Sequence, residues 1–385
     1  MFHPEKIVVA SDSFKGSLAS LQVADAVEAA VKEIYPSCEV VKVNVADGGE
    51  GTMDAFLQQL GGRKVVVTVS DPLWRPVEAS YLILDDGLTA IMDMSSASGL
   101  TLLTPEERNP SKTSTIGTGE LIRDALDRGC RRFLVGIGGS ATNDAGMGML
   151  HALGYRFLDS DGMELPPIGE SMVSVAFIDG AERISALAEA EFIVACDVNA
   201  PLYGQDGAAY VFAAQKGADE NMVAALDHGL RHFSEISAAF TGSDFAGIQG
   251  SGAAGGLGFA FRQFLGARLE RGADMVLDAI RFDDLIEGAD LVITGEGRID
   301  LQTLTGKTPF GVRQHAARYA IPVVAIGGQV TIDKSQSDFS GFRDIIQITP
   351  ADMPFEEAMK PETAAENIRL SIIRLLDRLC FKPEK

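Results

Sequence analysis

Short apolar runs alternate along this chain with stretches of helical periodicity. Lys6 to Ala10 (KIVVA) predicts a strand that ends in the polar turn Ser11 to Gly16. Ala24, Val27, Val31 and Ile34 then fall on one helical face, with Ser20 as the expected N-cap and Pro36 closing the helix. Val41, Val43 and Val45 alternate with Lys42 and Asn44, which predicts a second strand. It ends in Asp47-Gly48-Gly49-Glu50-Gly51, and another helix follows. Strand, helix, strand, helix predicts a parallel sheet with right-handed crossovers.

The pattern changes after residue 62. Three β-rich runs at 63–69, 77–84 and 89–94 are separated by DPLWRP and DDG, the form of an antiparallel meander. The β/α alternation then returns, with strands expected at 133–137, 192–196, 290–294, 323–326 and 345–348. A last helix is expected from about Thr363 to Leu379. No repeat or low-complexity segment interrupts this order. With 385 residues the chain has length for two or three domains. The expected class is α/β: a Rossmann-like, doubly wound domain from 1–84 plus 287–385, interrupted by a second α/β domain at 85–286, a placement that rests partly on the family resemblance given below.

Composition narrows the functions. At 46% hydrophobic and 23% charged, the chain can bury a large core. A net charge of −21 argues against nucleic acid or an anionic membrane as partner, because both call for a basic surface. An anionic substrate would therefore need a local positive site. The four cysteines form no CxxC pair, so a zinc site or disulfide framework is not expected, and reduced cytoplasmic thiols fit best. The N-terminal MFHPEKIVVA lacks the form of a signal peptide, and no apolar run reaches about 18 residues. Self-association is left open.

Five expected strands end in turns rich in Gly with Asp, Asn, Glu or Ser. They are VVA-SDSFKGS, VNVA-DGGEG, LVGI-GGSATND, IVAC-DVN and LVIT-GEGRID. Ligands of open α/β sheets bind beyond the carboxyl ends of the strands. Glycines there let backbone N–H groups approach phosphate oxygens. A further glycine loop runs from Gly250 through Ser251, Gly252 and Gly255 to Gly256. Lys15, Lys216, Lys307 and Arg298 lie in or beside these loops. Asp12, Asp47, Asp197, Glu296 and Asp300 add hard oxygen atoms suited to Mg²⁺, or alternatively act as helix caps. Phosphate cradle, basic groups and carboxylates are the parts of phosphoryl transfer.

Other signatures are weaker. Gly306-Lys307-Thr308 resembles the end of a P-loop, but Leu301 stands where its first Gly should be. Gly136 to Ala141 fits GxGxxA, and Asp159 follows about 20 residues on, so an NAD(P)-dependent hydroxy-acid dehydrogenase is an alternative. A non-catalytic sensor of a small acid is another. The five histidines form no HExxH arrangement, and no GxSxG elbow occurs.

At these turns the chain closely resembles the bacterial glycerate kinase family. The resemblance runs through Ser11 to Ser17, ADGGEGT at 46–52, GIGGSATNDAGMGML at 136–150 and CDVNAPLYGQDGAAYVFAAQKGA at 196–218. It continues through GSGAAGGLG at 250–258 and TGEGRID with Gly306-Lys307, and covers about residues 6–375. Departures are Ser11 in place of a common Pro, Ala213-Ala214 in place of Gly-Pro, and Gln249 and Ser251 at the glycine loop. The resemblance implies transfer of the γ-phosphoryl group of ATP to D-glycerate with Mg²⁺. It points to 2-phosphoglycerate as product, with the 3-phosphoglycerate-forming kinase as alternative, and to an active site in a cleft between the two domains.

On that reading Asp197 is the first choice for accepting the proton and Asp47 the second. Lys15, and with it Lys216, neutralises charge on the moving phosphoryl group. Asp12, Ser13, Lys216, Arg298 and Asn199 are expected to bind glycerate. The turn of Gly138, Gly139, Ser140, Thr142 and Asn143, the loop of Gly250, Ser251, Gly252, Gly255 and Gly256, and Lys307 are expected at the ATP phosphates. Glu296 and Asp300 are expected at Mg²⁺, directly or through water.

Overall fold

The computed structural model describes residues 3–45, 52–333, 335 and 340–381. Asp47 and the rest of 46–51 lie outside the described residues. Along the chain the strands are β1 Lys6–Ser11, β2 Glu39–Lys42, β3 Arg63–Ser70, β4 Pro76–Ile83, β5 Thr89–Asp93, β6 Arg132–Gly136, β7 Arg156–Leu158, β8 Phe177–Asp179, β9 Glu191–Ala195, β10 Arg268–Glu270, β11 Leu291–Ile299, β12 Val323–Val330 and β13 Asp344–Gln347. They belong to two compact units: Met1–Gln59 with Arg271–Lys385, and Leu60–Glu270.

The first unit carries a parallel sheet in the order β13-β12-β11-β1-β2. Ile7, Val9, Leu291, Ile293, Val324 and Ile326 line one face and pack on the helices Ser20–Ile34 and Pro361–Phe381. The intervening residues Val8, Val292 and Ala325 are also fully buried, with the helix Thr308–Arg318 packed on the sheet. Strands buried on both faces read as continuous apolar runs, which is why KIVVA and LVIT stand out. The helix after β1 starts one residue earlier than its expected cap. Ala19 is the N-cap, its N–H donating to Gln22 Oε1 at 2.9 Å, while the Ser20 hydroxyl donates to Ser11 O at 2.7 Å and ties the helix to the strand end.

β11 differs most from expectation. The glycines of GEGR predict a turn, yet the strand continues through it to Ile299, with Glu296 opposite Gly327 and Arg298 opposite Gln329. Gly295 lets the strands close up, since a Cβ there would lie 2.4 Å from Ile326 O.

The second unit carries a mixed sheet in the order β10-β9-β6-β5-β4-β3. β10, β9, β6 and β5 are parallel, and β4 and β3 complete the expected antiparallel meander. This pairing assigns β3 and β4 to the inserted unit. Residues 60–84 therefore go with 85–270, because β4 hydrogen-bonds β5 and through it the parallel strands. Residues 271–286 go with the first unit, not with the insertion. Phe133 and Phe192 stack at 4.7 Å in the core of the second unit, and Phe261 tilts onto Phe192 at 5.8 Å. The short pair β7–β8 and strand β10 were not expected from the sequence. Among the described residues no helix is long and apolar enough to cross a membrane.

Candidate active site

In the second unit the chain leaves β6 at Gly136 and turns through Gly138 to Asp144. Gly139, at φ +70°, occupies the left-handed region that glycine enters without strain. The wall of this turn is the segment after β5. Met94 N donates to Gly136 O at 2.9 Å, Leu100 N to Gly139 O at 2.8 Å, and Ala141 N to Ser98 O at 3.0 Å.

Lys216 ends a short 3₁₀ turn, Ala214–Lys216, and is only 2% exposed. Its ammonium donates to Ser140 Oγ and to Thr142 O, both at 2.7 Å. Burial lowers its pKa to about 7, opposed by the charge of Asp144. Asp144 is itself fully buried and accepts four hydrogen bonds. They come from Thr115 N and Thr115 Oγ1 at 2.8 Å, Gly146 N at 3.0 Å and Gly148 N at 3.1 Å. Burial pushes its carboxyl up, and these donors pull it back toward the charged form. The turn thus carries a buried cation on one side and a buried, fully bonded carboxylate on the other. Thr142 Oγ1 and both polar side-chain atoms of Asn143 are buried with no hydrogen-bond partner among the described residues.

The loop Gly250–Gly256 packs on this turn. Ala145 N donates to Gly255 O at 3.0 Å, and Ala254, Gly255 and Gly256 all take positive φ. The Ser251 hydroxyl donates to Phe245 O at 2.6 Å, and Gly252 N to Ala200 O at 2.9 Å. The structure therefore brings Gly138, Gly139, Ser140, Thr142, Asn143, Lys216 and the 250–256 loop together. Asp197 and Asn199 are exposed beyond the end of β9.

In the first unit, Asp12 follows β1, and its N–H donates to Gly295 O at 2.9 Å. Ser13 N donates to Asp12 Oδ1 at 2.6 Å, and Lys15 is exposed on the same turn. Glu296 is 8% exposed, and Lys307 lies 3.1 Å from its Oε2. Burial pushes the Glu296 carboxyl up, opposed by Thr303 and Lys307. Its Oε1 has no hydrogen-bond partner among the described residues. Asp300 Oδ1 accepts from Gln302 N at 2.9 Å and Thr303 N at 3.2 Å, so this oxygen holds a turn. Arg298 is exposed on β11. No group of three or more His, Cys, Asp or Glu is arranged to hold a metal among the described residues. Mg²⁺ usually takes one or two carboxylates and completes its shell with phosphates and water, and Glu296 with its unpartnered buried oxygen fits that pattern.

The dinucleotide alternative loses its acidic partner. Asp159 follows β7, which pairs with β8 outside the main sheet, and its Oδ1 accepts from Asp161 N and Met163 N at 2.9 Å. Two carboxylates escaped the sequence reading. Asp144 sat inside a glycine block, masked by its neighbours. Asp93 ends β5 with no glycine to mark the turn.

Sheets with parallel strands, glycine-rich strand ends and a buried lysine define the class as an α/β protein. The comparisons with known proteins sharpen this. A family model described as the glycerate kinase family matches residues 7–379. Glycerate kinase of Bacillus subtilis is 45% identical over 94% of this chain and 94% of its own. Glycerate 2-kinase of Escherichia coli is 42% identical over 92% and 93%. A crystal structure of a candidate glycerate kinase 2 from Salmonella typhimurium LT2 superposes with a TM-score of 0.87 at 42% identity, covering 97% of this chain and 98% of that one. The chain belongs to the glycerate kinase family, and it is a kinase.

Proposed function

We propose that the protein transfers the γ-phosphoryl group of ATP to the C2 hydroxyl of D-glycerate. The observation that carries this reading is the buried Lys216 ammonium clamped on the Ser140–Thr142 turn. It places a positive charge beside a glycine turn in a protein of net charge −21. Phosphoryl transfer depends on positioning and charge neutralisation, which such a group supplies. The relative named glycerate 2-kinase supports the C2 product.

The Gly138–Asn143 turn and the 250–256 loop bind phosphate oxygens. In the first unit, Lys15 would neutralise charge on the transferring group, and Asp12, Ser13 and Arg298 would bind glycerate. In the second unit, Lys216 and Asn199 are the expected glycerate contacts, with Asp197, the expected proton acceptor, beside Asn199 beyond β9. Glu296, with Asp300 through water, would hold Mg²⁺, and Lys307 beside them would meet phosphate. Bound Mg²⁺ would supply charge neutralisation along the phosphate chain.

Incubation with Mg-ATP and D-glycerate, read by phosphorus and carbon NMR, tests the reading. A phosphomonoester coupled to C2 is expected. Coupling to C3 would keep the kinase and overturn the regiochemistry, and no glycerate-dependent ATP consumption would overturn both. Glu296→Gln is expected to raise the Mg²⁺ concentration for half-maximal rate about tenfold. An unchanged Mg²⁺ requirement would leave Glu296 only its ion pair with Lys307.

A further inference from the structure

We infer that Asp93 is the catalytic base of this reaction, resting on the phosphoryl-transfer reading above. Asp93 is the last residue of β5 and stands in register with Gly136, the last residue of β6. It therefore sits where the Gly138–Asn143 turn begins. The next residues build the wall of that turn, and a Cβ on Gly139 would lie 3.5 Å from Ser95 Cβ.

The carboxylate is shaped for proton transfer. Ser95 N donates to Asp93 Oδ1 at 3.0 Å, and the Ser95 side chain also bonds it. Ser96 Oγ donates to the Asp93 carbonyl at 2.8 Å and fixes the backbone. No basic side chain among the described residues forms an ion pair with Asp93, in contrast to Glu296. Burial raises its pKa, with the Ser95 bonds opposing. Asp93 is half-buried rather than enclosed. The other carboxylates of this edge are less suited. Asp144 is enclosed and committed to four donors, and Asp197 is exposed beyond β9, with β6 between β9 and β5.

In the step, the glycerate hydroxyl oxygen forms a bond to the γ-phosphorus as the bond to the ADP oxygen breaks. The hydroxyl proton passes to Asp93 and then to water. Phosphoglycerate, ADP and one proton leave.

Asp93→Asn is expected to lower kcat by about 100- to 10,000-fold with the KM for glycerate changed only a few-fold. Asp93→Glu is expected to restore part of the rate. In the wild type, the acid limb of kcat/KM is expected above the ordinary aspartate range, and residual Asp93→Asn activity should lack it. Near-normal turnover of folded Asp93→Asn would overturn the assignment. So would an acid limb in the wild type at an ordinary aspartate value, a result that needs no variant to fold. Wild-type protein that shows no glycerate-dependent turnover would instead overturn the function itself.

Discussion

Lys216→Met is expected to lower kcat/KM by about 100- to 1,000-fold, the usual cost of removing one preorganised charged donor. Met matches the volume of the side chain but leaves Ser140 Oγ and Thr142 O without their donor. Lys216→Arg should not rescue it, because an enclosed slot fitted to one ammonium does not admit a planar fork. The pH dependence carries a second signature. Lys216 is charged below about 7 and neutral above, so the wild-type rate should fall as pH rises through that value. Stability should move the other way. The unfolded lysine keeps its proton to about 10.4, so between 7 and 10 the unfolded state binds more protons. Folding stability attributable to this group therefore rises with pH across that window. Urea unfolding of Lys216→Met should lose that rise. Unchanged kinetics in the variant would reduce Lys216 to a packing residue.

Gly255→Ala is expected to destabilise the second unit by about 3 kcal/mol. Gly255 has φ +68°, and a Cβ there would lie 2.0 Å from Thr142 O and 2.6 Å from Asn143 Cα. The loop must lift off the turn it covers, and activity should fall with stability. Thermal unfolding should shift down by roughly 6–12 °C. A shift within about 1 °C would mean that the loop has room the packing does not show.

Much of the fold was legible because parallel strands buried on both faces announce themselves as apolar runs. Lys6 to Ala10 and Val323 to Ile326 needed no other cue. The continuation of β11 was not legible, because Gly295 and Gly297 normally signal a turn. Here Gly295 answers instead to the Ile326 carbonyl beside it. The division between units was hidden because β3 and β4, both before the expected boundary at residue 84, share the β-rich composition of β5 beyond it. Only their pairing to β5 settles it. At the site, the charge of Lys216 was visible and its burial was not, since burial depends on Ser140 and Thr142, about 75 residues earlier. Asp93 had no local mark at all, and its interest comes from standing opposite Gly136.

The pairing of β1 with β11 constrains how the chain can be made. Ile7 lies beside Leu291, so β1 emerges long before β11, the central strand of the first unit. At about 5–20 residues per second, that neighbour follows roughly 15–60 s later. In the interval the contiguous stretch Leu60–Glu270 can complete its own sheet, whereas β1 has only β2 for company. KIVVA thus keeps one open apolar edge until β11 has emerged. A nascent chain stopped before residue 291 should hold a protease-resistant middle and a cleavable N-terminus, and this exposed edge is where a holdase would act.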